Sequence, residues 1–365
     1  MPSTIGFLRE YLRPRSHAVQ VSELLYHREG KPLPATLYRP ASGQRRLPAW
    51  VLLHGLTCSG RQHPSLDRFA RAVAASGAVV LVPEVPEWCQ LQVAAAVTGP
   101  TILGAAQLLA GLEDVDPDRI GVIGFSFGAT QALVAATEPG IETHVRGIAA
   151  WGGYCDLHSL FVFGITGEHE LDGVRYRLDP DPYGRWIMGA NYLTGIPGYE
   201  DHRELAEALR RLAVEAGTRR THAWDPAFDP VKAKLREALP AAQRTTFDIF
   251  APPAGRQPPD LEHARALALE LADAALRAEP LLDPRPALPC LGVRTLVAHG
   301  RDDRLVPFTE GLRLARALPA DQARGTTVTS LFAHSGGADR QLGPLGLGRE
   351  AWRFVRLLQR ILTLV

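Results

Sequence analysis

The stretch GVIGFSFGAT, residues 121–130, decides the fold of this chain. It begins as an apolar run, carries one serine between two glycines, and continues into the alanine-rich stretch ATQALVAAT. The apolar run predicts a buried β-strand and the alanine-rich stretch predicts an α-helix, so Ser126 stands at the junction of the two. Ser126 is then either a nucleophile held on a sharp turn or a small residue where a strand meets a helix.

Strand and helix patterns alternate on both sides of this stretch. The segments LPAWVLLHG, AVVLVPEVP and VRGIAAWGG are typical of buried strands, and SLDRFARAVAASG and TGPTILGAAQLLAGL are typical of helices. Residues 17–40 alternate apolar and polar positions around REGK, which predicts an antiparallel hairpin. The pattern as a whole predicts an α/β fold with a mostly parallel, doubly wound sheet.

The alternation stops between residues 155 and 289. This segment has the helical patterns HRELAEALRRLAVEAG, PVKAKLREAL and LEHARALALELADAALRAE, joined by proline-rich connections, and no convincing buried strand. The strand and helix rhythm then resumes with VRTLVAHG, FTEGLRLARAL and GTTVTSLFAHSG. We therefore predict a core formed by residues 1–154 and 290–365, interrupted by a helical insertion of residues 155–289.

Composition restricts the class of protein and its partners. The 365 residues are 46% hydrophobic and 22% charged, with a net charge of +1, which favours neither nucleic acid nor a membrane as a partner. The four cysteines are scattered without a CxxC pair, and the N-terminus does not resemble a secretory signal, so we expect a cytoplasmic protein. No metal-binding or cofactor motif is found, and the sequence is compatible with a homodimer.

A serine nucleophile needs a base, and the base needs a residue that orients it. Asp302 and Asp303 follow the predicted strand VRTLVAHG, and His334 follows the last predicted strand. With a nucleophile-elbow motif, the acid and then the histidine are expected after the serine, each in the loop after a late strand. A solvated loop histidine is the alternative for His334.

With these motifs in this order and spacing, the sequence resembles the α/β-hydrolase family. The resemblance covers nearly the whole chain except the insertion. In that family a strand ending in glycine is followed by two residues, the catalytic acid and then a Val-Pro pair. The resemblance therefore points to Asp303 rather than Asp302 as the acid, with Ser126 as nucleophile and His334 as base. Asp156, at the end of the strand IAAWGG, stays an alternative acid.

The resemblance also implies an oxyanion hole, which is a pair of N–H groups that bind the negative oxygen formed during acyl transfer. One N–H group would come from Leu56 or Thr57 in the loop LLHGLTCSG, and the other from Phe127. His54 is expected to shape this loop rather than to transfer protons.

The insertion lies where this family carries a cap above the nucleophile. Its stretch SLFVFGITG offers apolar side chains to a pocket or, as the alternative, to a packing seam between cap and core. The candidate pocket residues are Thr57, Trp88, Leu160, Phe161, Phe163 and Ile165. An enclosed pocket favours a small or medium apolar acyl substrate.

The family resemblance implies a serine hydrolase that cleaves a small-molecule carboxylic ester through an acyl-enzyme, without a cofactor. A thioesterase, an amidase or a C–C bond hydrolase would use the same three residues, and pocket shape decides between them. The alternative of another class is a non-catalytic protein that binds a ligand on the same fold.

Overall fold

The structure is a computed structural model that describes residues 3–14, 17–219, 221–331 and 343–365. His334 lies outside the described residues. Among the described residues, no helix has the length and apolar character needed to cross a membrane. The strands are β1 (Val19–Arg28), β2 (Lys31–Pro40), β3 (Leu47–Leu53), β4 (Val79–Pro83), β5 (Val115–Phe125), β6 (Gly147–Trp151), β7 (Glu168–Leu171), β8 (Val174–Arg177), β9 (Arg294–Gly300) and β10 (Ala323–Thr329).

The helices lie between these strands and in the insertion. They are α1 (Thr4–Leu12), α2 (Pro64–Ala75), α3 (Pro86–Cys89), α4 (Thr98–Ala110), α5 (Phe127–Ala135), α6 (Ile141–His144), α7 (Leu157–Thr166), α8 (Pro182–Tyr192), α9 (Arg203–Arg219), α10 (Asp229–Ala238), α11 (Ala241–Phe250), α12 (Leu261–Ala278), α13 (Phe308–Ala317) and α14 (Pro344–Leu362).

Eight strands form one mixed sheet in the order β1-β2-β4-β3-β5-β6-β9-β10. The hairpin β1–β2 is antiparallel and the sheet is mostly parallel, as the sequence predicted. The pair β2–β4 is also antiparallel. Strand β3 pairs with β4 on one side and with β5 on the other, so the chain changes direction across the sheet there. Ligands of open α/β sheets bind at such a switch point, at the carboxyl ends of the strands.

Both faces of the sheet are covered by helices. Side chains of a strand alternate between faces. On β3, Ala49, Val51 and Leu53 therefore join the apolar cluster under α4 and α5, while Trp50 and Leu52 join the cluster under α2 and α14. This alternation confirms the doubly wound arrangement.

The segment 155–289, which we call the insert, contributes no strand to the eight-stranded sheet among its described residues. It follows β6, the sixth strand, and holds helices α7 to α12. It also holds the antiparallel hairpin β7–β8, which the sequence analysis did not predict. The largely exposed strands of this hairpin carry no buried apolar run, so they lack the pattern that indicates a core strand.

Candidate active site

Ser126 sits on a strained turn between β5 and α5. Its backbone has φ 56° and ψ −124°, a conformation that a residue with a side chain rarely adopts. The Ser126 N–H donates to Trp151 O at 2.8 Å, which ties the turn to β6. Strain of this kind persists only where surrounding contacts hold it, and it is common at active sites.

The two glycines of the motif allow the close approaches that this turn needs. A Cβ on Gly124 would lie 2.4 Å from Gly128 O, and a Cβ on Gly128 would lie 2.5 Å from His54 O. Gly55 also lies close to the turn, although less tightly, because its Cβ would lie 3.0 Å from Ser126 Cβ. The motif residues therefore bring the loop after β3 directly onto the serine turn.

Two backbone N–H groups beside Ser126 are available to a ligand. Neither Leu56 nor Phe127 donates its N–H to an acceptor in the described part of the chain. Phe127 is the first residue of α5, where N–H groups have no partner within the helix and the helix dipole adds positive potential. Leu56, Phe127 and Ser126 line the same cavity.

His54 supports the loop that carries Leu56. Its Nε2 accepts the Val85 N–H at 3.4 Å, so Nδ1 carries the proton and donates to Gly55 O at 2.7 Å. Burial lowers the pKa of His54, which keeps the imidazole neutral. The geometry agrees with a structural role in shaping the loop.

Asp303 lies after β9, at the same carboxyl edge of the sheet as Ser126. Its side chain is fully buried, and Oδ1 accepts the N–H groups of Leu305 at 2.9 Å and Val306 at 3.1 Å. Both of these residues line the cavity that contains Ser126. Two backbone bonds fix the carboxylate in one orientation, as a residue that orients a catalytic base requires.

The alternative acids have different environments. Asp156 is the N-cap of α7, where it accepts the Ser159 N–H at 3.2 Å, and it also pairs with Arg285 at 3.2 Å. Its carboxylate therefore holds the start of the insert. Asp302 is only half-buried, in contrast to Asp303.

A cavity of about 90 Å³ lies above Ser126, between the core and the insert. Leu160, Phe161 and Ile165 of α7 line it, as the sequence analysis expected. Its other apolar walls come from both parts of the chain and include Leu56, Phe127, Ile187, Met188, Leu271, Leu305 and Val306.

Three expected pocket residues have other positions. Trp88 is fully buried behind the loop after β3, edge-on to His54 and Phe127, and its Nε1 donates to Ala94 O at 2.9 Å. Phe163 is also fully buried and packs edge-on against His169. Thr57 instead uses its hydroxyl to accept the Ser59 N–H at 3.4 Å within the loop. None of the three is among the residues that line the cavity beside Ser126.

Three polar residues of the cavity were not predicted from the sequence, and all three lie at the start of α8. Asp181 is the N-cap of α8, Tyr183 donates its hydroxyl to Leu56 O at 3.3 Å, and Arg185 is buried. The Asp-Pro pair at 181–182 is a helix-start signal. The direction in which the helix points its polar side chains depends on its packing and has no local signal.

Comparison with known proteins supports the fold. No protein-family model and no curated protein matches the chain. Among solved structures, the chain is similar to a mutant of the esterase Est22, with TM-score 0.52 and 12% identity over 98% of this chain and 84% of that chain. It is also similar to the Pyrobaculum calidifontis esterase, with TM-score 0.48 and 17% identity over 99% and 91% of the two chains. The similarity to Est22, together with the mostly parallel eight-stranded sheet, shows that the chain has the α/β-hydrolase fold.

Proposed function

We propose that this protein is a serine hydrolase that cleaves a small carboxylic ester through an acyl-enzyme on Ser126. The observation that carries the proposal is the strained turn of Ser126 at the floor of a cavity, at the sheet's switch point. A small residue at an ordinary junction would not need a left-handed backbone and three glycines in close contact.

In the proposed reaction, His334 removes the hydroxyl proton of Ser126, and Oγ attacks the acyl carbonyl. The N–H groups of Leu56 and Phe127 bind the oxygen as it becomes negative. Asp303 holds the imidazole in the required tautomer, and the leaving alcohol takes the proton from His334. Water then repeats the same steps and releases the acid.

The size of the cavity supports a short acyl group. An apolar cavity of about 150 Å³ can hold a benzene molecule, and the cavity beside Ser126 has only about 90 Å³. We therefore expect acyl chains of two to four carbons to be cleaved faster than long fatty acyl chains.

The test uses purified protein, its Ser126→Ala variant, and p-nitrophenyl esters from acetate to palmitate, with a fluorophosphonate probe for the nucleophile. Removal of the nucleophile of a serine hydrolase lowers turnover by about 10⁶-fold. We expect labelling and turnover of the wild type, with the optimum at short esters, and neither in Ser126→Ala. Thioesters and amides of the same acyl groups then identify the preferred leaving group.

Ser22→Ala is the matched control, because Ser22 is exposed on β1. It should retain labelling and turnover. A folded wild-type protein that is neither labelled nor active would contradict the hydrolase and favour a ligand-binding protein. Equal activity of wild type and Ser126→Ala would assign the nucleophile to another residue.

A further inference from the structure

Arg185 brings a positive charge into the otherwise largely apolar cavity above Ser126. It lies in the first turns of α8, and only 7% of its surface is exposed. Arg185 is one of the residues that line the cavity beside Ser126. A buried charge is costly unless it is paired, so an arginine at this position needs an explanation.

The guanidinium group of Arg185 has few partners. Within the described residues its one hydrogen bond runs from Nη1 to Ile165 O, at the long distance of 3.5 Å. Nε is buried and makes no hydrogen bond. Nε and one Nη nitrogen form the edge of a guanidinium that binds a carboxylate with two parallel bonds.

The neighbouring charged groups do not neutralise Arg185 directly. Asp181 raises the pKa of Arg185 by its charge, but it forms no described ion pair with it, and its Oδ1 accepts the Tyr183 N–H at 3.0 Å. Lys232 is a second buried cation close enough to interact with Arg185, and it is paired with Asp229 at 3.0 Å. Burial lowers the pKa of Arg185 to about 10, so it stays charged at neutral pH.

We propose that Arg185 binds a carboxylate of the substrate, so that the preferred substrate is a short ester carrying one negative charge. This inference rests on the proposed hydrolase function and names its substrate class. A carboxylate would pair with the buried charge and supply the acceptor that Nε lacks. A neutral acceptor would leave the guanidinium without a direct ion-pair partner.

The first test compares wild-type kcat/KM for ester pairs of equal shape and different charge. Methyl hydrogen succinate and methyl 4-methylpentanoate place the carboxylate or its neutral isostere on the acyl side. 3-Acetoxypropanoate and 3-methylbutyl acetate place them on the alcohol side. We expect a preference of roughly 10- to 100-fold for the anionic ester of one pair, which also identifies the side that faces Arg185. Equal rates within both pairs would overturn the proposal.

The second test removes the charge. Arg185→Gln should abolish the preference by slowing the anionic ester much more than the neutral one, and Arg185→Lys should retain part of the preference. Arg175→Gln is the matched control, because Arg175 is exposed on β8 and the substitution changes net charge equally. A preference that survives in Arg185→Gln, confirmed as folded by circular dichroism, would assign anion recognition to another group.

A binding measurement distinguishes failure of the anion-site proposal from failure of the hydrolase proposal. In the Ser126→Ala background, calorimetry should show tighter binding of the favoured anionic ester than of its isostere, and no difference after Arg185→Gln is added. Such a result in a protein that cleaves no ester would support the anion site and reject the hydrolase. Cleavage of neutral esters by wild type, without tighter anion binding, would reject the anion site alone.

Discussion

Gly128 lies where the serine turn passes closest to the loop after β3. A Cβ there would lie 2.5 Å from His54 O. The position of the Cβ is fixed by the backbone and His54 O is itself a backbone atom, so neither can rotate away. Gly128→Ala should therefore push apart the two segments that carry the N–H groups of Leu56 and Phe127. We expect a loss of about 1–3 kcal/mol in stability from overpacking. We also expect a decrease of about 10²-fold in kcat/KM, because a small misplacement of catalytic groups is costly.

Gly292→Ala is the control for this substitution. A Cβ on Gly292 would contact nothing within 4 Å, so stability and ester hydrolysis should both stay near wild type. Urea unfolding and initial rates measure the two effects separately. A Gly128→Ala variant with wild-type kcat/KM would show that the close approach is not needed for the reaction.

Single residues differ in how far the sequence could predict them. The turn of Ser126 could be predicted because its glycines and its strand lie within ten residues of sequence. Asp303 could be chosen over Asp302 from the family pattern, and its burial on two N–H groups is consistent with that choice. Arg185 could not be predicted, because only the packing of α8 against the core turns this residue into the cavity.

At the scale of elements, α14 is joined to the end of β10 by one buried carboxylate. Glu350 Oε2 accepts the Thr329 hydroxyl and the Ser330 N–H, each at 3.0 Å. Glu350→Gln would weaken both bonds and leave buried donors poorly satisfied, at a cost of about 1–3 kcal/mol. Because β10 leads toward His334, we also expect a lower kcat. Unfolding and initial rates at pH 7 check both effects.

The contribution of Glu350 should depend on pH in a defined direction. Its hydrogen bonds with Ser330, Thr329 and Arg353 outweigh burial and hold the pKa of this carboxyl below its usual 4.5. The stabilisation is therefore complete above about pH 4.5 and is lost as pH falls through the lower pKa of the folded state. The stability difference between wild type and Glu350→Gln should shrink below pH 4.5. A stability gap between wild type and Glu350→Gln that stays constant from pH 7 to pH 3 would contradict the assignment.

Elements of the insert were harder to predict than those of the core. Helix α7 is apolar on nearly all sides. A short continuous apolar sequence is compatible with either a buried helix or a buried strand, so periodicity alone could not assign α7. The hairpin β7–β8 turns at Asp172 and Gly173, both with positive φ, which is the turn that hairpins favour. That local signal was present in the sequence, but the flanking strands lack a clear apolar alternation because they bury little against the core.

At the scale of the whole molecule, the insert and the core share one apolar cluster. Val122 of β5, Phe127 of α5, Leu160 of α7 and Leu267 of α12 all belong to it. Apolar contact of this extent couples the stability of the parts that share it. The insert should therefore unfold together with the sheet, although the sequence presents it as a separate helical segment.

Leu267→Ala tests this coupling from within the insert. Leu267 is 1% exposed and does not line the cavity, so its truncation should cost about 2–5 kcal/mol without enlarging the substrate site. If insert and sheet unfold as one unit, hydrogen exchange should show the same loss of protection in the slowest amides of α12 and of β5. Leu269 lies on the same helix and is 40% exposed, so Leu269→Ala should leave the protection of the slowest amides in both α12 and β5 unchanged. Loss of protection confined to the insert would mean that it opens independently above Ser126, and the cavity would then be accessible to larger esters than its closed volume allows.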